Sequence, residues 1–198
     1  MAGMASIHTG DFSVESLGLK HTRDFVSYLL RNKPHFLPFE PFRPEYYYTE
    51  IYWQNLLAPH PSKKPKELRF VILKGEKIIG FIGIHDIIGY PAYSGMLGYS
   101  LDQSLWNRGM MTDALSRLIA YLFLHMPLHR ITAAYMPSNA PSGRVLEKLG
   151  FVNVGVVKEY LFINGRWEDH MLSSLVSPTF TMPSIEMPMR RPEQGEKR

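Results

Sequence analysis

Two consecutive units between Ser94 and Phe151 limit the folds open to this chain more than any other feature. Ser94–Leu101 reads as a strand, and a short loop, Gly109 and an amphipathic helix follow it. Met111, Leu115, Leu118 and Leu122 recur at helical spacing and mark the apolar face of that helix, which Pro127 ends. Arg130–Tyr135 reads as the next strand. Asn139 then caps a short helix to Leu149, and Gly150-Phe151 returns the chain to a strand. Strand, helix, strand, helix and strand in so short a span call for a sheet with helices packed against it.

The flanking segments add antiparallel strands. Phe12–Leu17 alternates apolar and polar residues as a first strand, and Phe25, Tyr28, Leu29 and Leu30 give Lys20–Arg31 a helical spacing. Three prolines among Phe36, Phe39 and Phe42 make His35–Pro44 an aromatic loop, after which Glu45–Leu57 returns to a helical pattern. A lysine- and proline-rich loop (59–66) leads to a hairpin of Arg69–Leu73 and Ile78–Ile84. Asn164-Gly165 is a strong turn signal between a strand ending near Ile163 and a last strand, Asp169–Val176. The expected fold class is therefore α/β (α+β): a mixed, mostly antiparallel sheet with helices on its faces, and not a doubly wound one.

With 198 residues, 45% hydrophobic and 20% charged, the chain suits one globular domain and not a disordered one. Residues 1–176 are expected to form that domain, and the proline-rich stretch 177–198 a disordered tail. No apolar run approaches the ~20 residues of a membrane span, and the opening Met1–Ala5 lacks the pattern of a secretory leader. A soluble, cytoplasmic protein without membrane partners is expected. The chain has no cysteine, which excludes a thiol nucleophile, a cysteine-ligated zinc and an iron–sulfur cluster; no metal is expected. A net charge of +4 fits either a plainly basic surface or attraction to an acidic partner such as a ribosome or nucleotide phosphates.

The first unit carries a candidate anion site. Amides at a helix start lack intrahelical acceptors and sit at the positive end of its dipole. Gly109 lets a phosphate approach the backbone, and Arg108 adds a charge. A simple turn is the competing reading of that glycine taken alone. The second unit, Tyr135-Met-Pro-Ser-Asn-Ala-Pro-Ser-Gly143, together with Lys158-Glu-Tyr-Leu-Phe-Ile-Asn-Gly-Arg-Trp-Glu-Asp-His170, is more specific. These segments resemble the GNAT superfamily of N-acetyltransferases, and within it the RimJ-type ribosomal-protein alanine N-acetyltransferases. The likeness is strong from about Ser94 to Ser177, looser before, and absent from the tail.

The resemblance implies a GNAT fold in which two parallel strands, Ser94–Leu101 and Arg130–Tyr135, splay apart around the pantetheine of acetyl-CoA. It assigns cofactor contacts to Tyr99, Ser100 and Leu101 on the first strand, one amide there serving as oxyanion donor. The loop and helix start, Trp106, Asn107, Arg108, Gly109, Met110, Met111 and Thr112, would bind the cofactor, the amides from Asn107 to Thr112 holding the pyrophosphate. Ser142 would stand near the sulfur, and Asn139 would contact the pantetheine or hold the splay between the strands. Two departures stand out. Of the superfamily's loop pattern, led by Gln or Arg, only the central Gly109 survives, and Leu146 stands where many members carry an acid tyrosine.

The chemistry needs a neutral amine, a polarised carbonyl and a stabilised thiolate. Without cysteine, direct transfer in a ternary complex is expected. Ser142 is the candidate beside the sulfur; the alternative is that Asn139 and Ser142 are only a helix-capping pair, worth about 1 kcal/mol. Glu159 is the first candidate for general base, with His85 and Asp86 as alternatives and a plain surface glutamate as the competing reading. No strong base stands out, which favours an α-amine (pKa about 7.7–8.0) over lysine (about 10.4) as acceptor. The resemblance implies a protein N-terminus, alanine of a ribosomal protein, with possible ribosome association. The aromatic residues Tyr46, Tyr47, Tyr48, Tyr52 and Trp53 read as packing beside a peptide groove and not as a sequence-specific nucleic-acid surface. Two alternatives are transfer to a small amine, such as a polyamine or aminoglycoside, and a non-catalytic acyl-CoA-binding module.

Overall fold

Phe70, Val71, Ile72 and Leu73 form an unbroken apolar run, which a strand adopts when both faces of its sheet are covered. All four are buried, and alternate ones point to opposite faces. Phe70 and Ile72 join one hydrophobic cluster, whereas Val71 and Leu73 join another. The computed structural model describes residues 6–59 and 67–183. Among them the sheet has eight strands: β1 (Ile7–His8), β2 (Ser13–Ser16), β3 (Leu68–Lys74), β4 (Lys77–Ile88), β5 (Ser94–Leu101), β6 (Arg130–Tyr135), β7 (Val152–Ile163) and β8 (Arg166–Val176). Their order is β1-β2-β3-β4-β5-β6-β8-β7, antiparallel throughout except for the central β5/β6 pair. The expected mixed, mostly antiparallel architecture is the one observed.

Among the described residues four α-helices cover it: α1 (Thr22–Phe36), α2 (Glu50–Leu57), α3 (Met110–His125) and α4 (Ala140–Lys148). Met111, Leu115, Leu118 and Leu122 of α3 are buried in the larger cluster, as their spacing predicts, with Leu146 of α4 beside them. On the other face, Phe25, Tyr28 and Leu29 of α1 and Trp53 of α2 pack with Val71, Leu73 and Phe81. The Phe25 and Trp53 rings meet edge to face at 4.7 Å, a favoured aromatic geometry.

Several boundaries differ from the sequence reading. β1 pairs with β2 through residues with no strand signal of their own. α1 continues through Pro34 to Phe36, so the aromatic loop begins later; a proline in the last turn disrupts little helix beyond it. Glu45–Tyr48 forms a separate 3-10 turn because Thr49 is extended (φ −116°, ψ 146°), and Thr49 Oγ1 then caps α2 by accepting the Tyr52 N–H. β8 starts at Arg166, because Asn164 and Gly165 both take positive φ and bring Ile163 opposite Arg166 at once. The chain also stays docked past Val176. Ser177 N–H donates to the His129 carbonyl (2.8 Å), and the Phe180 ring lies 5.3 Å from that of Tyr93. The rest of the expected tail (184–198), most of the lysine- and proline-rich loop (60–66) and residues 1–5 lie outside the described residues. No described helix is long and apolar enough to cross a membrane.

One polar tie fastens α1 to the end of β5. Arg31 Nε donates to Asp102 Oδ2 at 2.8 Å, its guanidinium also reaches the Ile78 carbonyl, and Ser104 donates to Asp102 Oδ1. Tyr28 Oη donates to Ser100 Oγ (2.9 Å), and Asn32 Oδ1 accepts the Gln103 N–H (3.2 Å). Burial opposes ionisation of Asp102, yet the hydrogen bonds from Arg31 and Ser104 and the Arg31 charge outweigh it, so its carboxyl is held below the usual carboxylate range. A lowered folded-state pKa contributes stability above the unfolded value, about 3.9, and loses it as pH falls through the folded one. Asp102→Asn should therefore cost about 2 kcal/mol at pH 7. In denaturant titrations the gap to the parent should shrink as pH drops below about 4.

Candidate active site

The parallel pair does not stay paired. Its register runs Ser94↔Arg130, Gly95↔Ile131, Met96↔Thr132 and Leu97↔Ala133, and stops there. Each strand then follows its outer neighbour, β5 staying with β4 as far as Leu101↔Gly80 and β6 with β8 as far as Tyr135↔Met171. A seam opens between them. The Asp102 N–H donates to the Ile79 carbonyl, and alternate peptide groups of a strand face opposite neighbours. The N–H groups of Tyr99 and Leu101 consequently point into the seam. On the far wall, the Ser177 N–H to His129 carbonyl bond fixes the same alternation, and the peptide edge of Ala134 faces the seam. Trp106 Nε1 donates to the Leu101 carbonyl (2.9 Å), leaving the Leu101 N–H as its free backbone group.

The seam is the middle of a cleft of about 950 Å³. One end is the start of α3. Gly109 caps that helix at φ 76°, and the first intrahelical bond is Asp113 N–H to the Gly109 carbonyl. The amides of Met110, Met111 and Thr112 are thus without helical acceptors. Arg108, beside Gly109, lines this end, and Arg144 and Lys148, one turn apart on α4, also line the cleft. A Cβ at Gly109 would meet nothing within 4 Å, so the left-handed backbone, and not crowding within the protein, demands glycine. The opposite end opens beneath the segment after α1, with Phe36, Phe39, Glu40, Arg43, Tyr47, Tyr52 and Trp53 on its wall.

Between the two ends a hydroxyl pair faces the seam. Tyr99 Oη lies 2.8 Å from Ser142 Oγ and donates to the Ser142 carbonyl at 2.9 Å. Burial pushes the Tyr99 phenol up to about 12, so it carries its proton at neutral pH. Asn139 Oδ1 accepts the Ser142 N–H at 3.4 Å, which makes Asn139 a helix cap while it also lines the cleft. Gly143 is required on packing grounds, because a Cβ there would lie 2.8 Å from the Tyr135 ring.

The residues singled out in the sequence separate cleanly. Tyr99, Ser100, Leu101, Trp106 to Thr112, Asn139 and Ser142 all line the cleft. Glu159 does not. It sits at the β7 bulge where the register shifts between Val157 and Leu161, with φ 49°, exposed, its N–H donating to Asp169 Oδ1 (3.0 Å). The bulge breaks the alternation of the strand at this residue. His85 lines the cleft with its Nδ1 2.8 Å from Asp86 Oδ2, whereas Asp86 is exposed and outside the lining. Sequence reasoning overlooked Arg144 and Lys148, whose spacing of four after the Asn139 cap was the available signal. It overlooked Glu40 as a site residue because a proline-rich loop gives no periodicity from which to infer which side chains turn inward.

Residues 17–152 match the acetyltransferase (GNAT) domain family. The chain is 34% identical over 170 residues to the [ribosomal protein uS5]-alanine N-acetyltransferase of Escherichia coli, covering 82% of this chain and 88% of that protein. The crystal structure of the ribosomal-protein-S5-alanine acetyltransferase of Vibrio fischeri superposes with a TM-score of 0.84 at 32% identity, over 90% of this chain and all of that one (100%). Mycobacterium smegmatis RimJ, solved in complex with CoA-disulfide, superposes with a TM-score of 0.77 at 25% identity, over 84% of this chain and 82% of its own. Replacing Gly109 with Val should cost about 1–2 kcal/mol of stability through its left-handed backbone. In calorimetric titration the variant should bind coenzyme A at least about tenfold more weakly, which is about 1.4 kcal/mol.

Proposed function

The chain belongs to the GNAT acetyltransferase family and is an N-acetyltransferase, and from that premise we propose that it transfers the acetyl group of acetyl-CoA to the free α-amine of a protein N-terminus, alanine on a ribosomal protein. The observation that carries this reading is the seam itself, a slot with unpaired N–H groups in a cleft that also takes in the free amides of a helix start and an aromatic wall. The pyrophosphate would sit on the amides from Asn107 to Thr112, with Arg108, Arg144 and Lys148 supplying positive charge. The pantetheine would complete the interrupted ladder against Tyr99, Leu101 and Ala134. The Tyr99 or Leu101 N–H is the donor for the developing oxyanion, and a fixed backbone dipole there needs no reorganisation as charge develops.

Ser142 and Tyr99 act together at the leaving group. The phenol is protonated at working pH, and its contact with Ser142 Oγ lets the serine hydroxyl turn toward the sulfur and replenish its proton from the phenol. Leu146, which is buried at the edge of the same cleft, has no proton to give. The acceptor assignment rests on kinship with enzymes named for alanine acetylation and on the shape of the groove. A small first residue fits beneath the rings of Phe36, Phe39 and Tyr47, and an extended peptide follows the exposed rim at Phe42 and Tyr46. The protein works in the cytoplasm on this reading, its basic surface aiding encounter with an RNA-rich particle.

Two outcomes are expected. Ser142→Ala should lower kcat about 10- to 100-fold with a smaller change in the acetyl-CoA KM, because an interaction made with the departing thiolate belongs to the transition state. Tyr99→Phe should fall in the same direction, and normal turnover in both would reduce the pair to a packing contact. A peptide beginning with free alanine should be acetylated in preference to the same peptide blocked at its N-terminus but carrying an internal lysine. Preference for the blocked peptide, or for spermidine over both, contradicts the acceptor assignment.

A further inference from the structure

We propose that the carboxylate of Glu40 receives the acceptor's ammonium group and takes the proton that must leave before the nitrogen can attack; this rests on the reading of the cleft as an acetyltransferase site. Glu40 is half-buried and lines the cleft together with Phe36, Phe39 and Tyr47; it also lines a small neighbouring cavity with Lys33 and Tyr48. Its backbone N–H closes the turn after α1 by donating to the Phe36 carbonyl (3.0 Å). The other lining glutamate, Glu67, is paired with Arg69, whereas no described side chain hydrogen-bonds the Glu40 carboxylate. Arg43 does not supply that bond. Its guanidinium lies over the Tyr47 ring at 5.0 Å, and its Nε is itself buried without a partner. A carboxylate in aromatic surroundings with no donor is a costly arrangement, and a cation carrying several N–H groups satisfies it.

Its position suits the chemistry. Glu40 is close enough for its charge to act on the Tyr28 phenol, which donates to Ser100 Oγ between the two seam amides. His85 stands opposite Met96, three residues before Tyr99 on β5, or roughly 10 Å along the strand. The groups facing Glu40 are Tyr28 and Lys33 from α1, Arg43 from its own segment, and Tyr47 and Tyr48 from the turn before α2. Lys33 is bound to Glu45 (3.0 Å). Burial raises the Glu40 pKa against the lowering charge of Arg43, and so toward that of an α-ammonium. In the step, one ammonium proton passes to Glu40. The nitrogen lone pair then forms the C–N bond as the C–S bond breaks, the second nitrogen proton goes to solvent, and the thiolate is protonated from the Ser142 side. Glu40 finally returns its proton to water.

The test is kcat/KM against pH for Glu40→Gln, Glu40→Asp and His85→Ala, on whichever amine the parent protein acetylates best. Glu40→Gln should lose about 100-fold or more and drop one ionisation from the acid side of the profile, with Glu40→Asp recovering part of both. A raised folded-state pKa makes Glu40 a source of stability only while protonated, lost as pH rises. The Gln variant should therefore melt no lower than the parent at neutral pH. An unchanged profile in Glu40→Gln overturns the proposal, as does loss of the acid-side ionisation in His85→Ala alone. A parent that prefers spermidine to the alanine peptide removes the acceptor assignment and leaves this comparison intact.

Discussion

The seam between β5 and β6 is the constraint on which the rest of the structure depends. Parallel neighbours in a sheet normally continue to exchange hydrogen bonds, and each N–H and C=O withdrawn from that exchange costs free energy unless it meets water or a ligand. Here pairing ends at Leu97 and Ala133 although both strands continue. The divergence is held from outside: β4 keeps β5 to Leu101, and β8 keeps β6 to Tyr135. The freed peptide groups line an open cleft, which is where the proposed cofactor would meet them. The loop from Asp102 to Gly109 and the start of α4 stand at the seam because each follows one of the diverging strands.

The acceptor side and the cofactor side are parts of one polar framework. Tyr28, Arg31 and Asn32 of α1 grip Ser100, Asp102 and Gln103 at and just past the end of β5. The helix whose continuation carries Glu40 is thereby fixed to the strand whose amides face the seam. A carboxylate on a proline-rich segment would otherwise be too loosely held to meet an amine in register with the thioester.

Much of this was legible in the sequence, and the reasons are local. The turn at Asn164-Gly165, the apolar face of α3 and the buried hairpin of β3 and β4 each follow from short-range patterns, and each formed. So did the ring of residues from Trp106 to Thr112, since a strand, a glycine and a helix start bring them together whatever surrounds them. Glu159, named from its place on the strand after Gly150-Phe151, lies at the bulge after Val157, where strand alternation is broken, and outside the cleft lining. Trp106 lines the cleft, and its indole is bonded to the Leu101 carbonyl, a contact that no sequence pattern signals. Glu40 and Arg43 were beyond reach because their facing is set by packing between α1 and the turn before α2, not by neighbours in sequence.

The most direct test of the account is amide hydrogen exchange, resolved by residue, at Tyr99 and Leu101 with and without acetyl-CoA. Both amides should exchange much faster than those of Gly98 and Ser100, which face β4, and both should become protected when acetyl-CoA fills the seam. Protection of Tyr99 and Leu101 already equal to that of Gly98 and Ser100 in the free protein, or no change on adding acetyl-CoA, would contradict it.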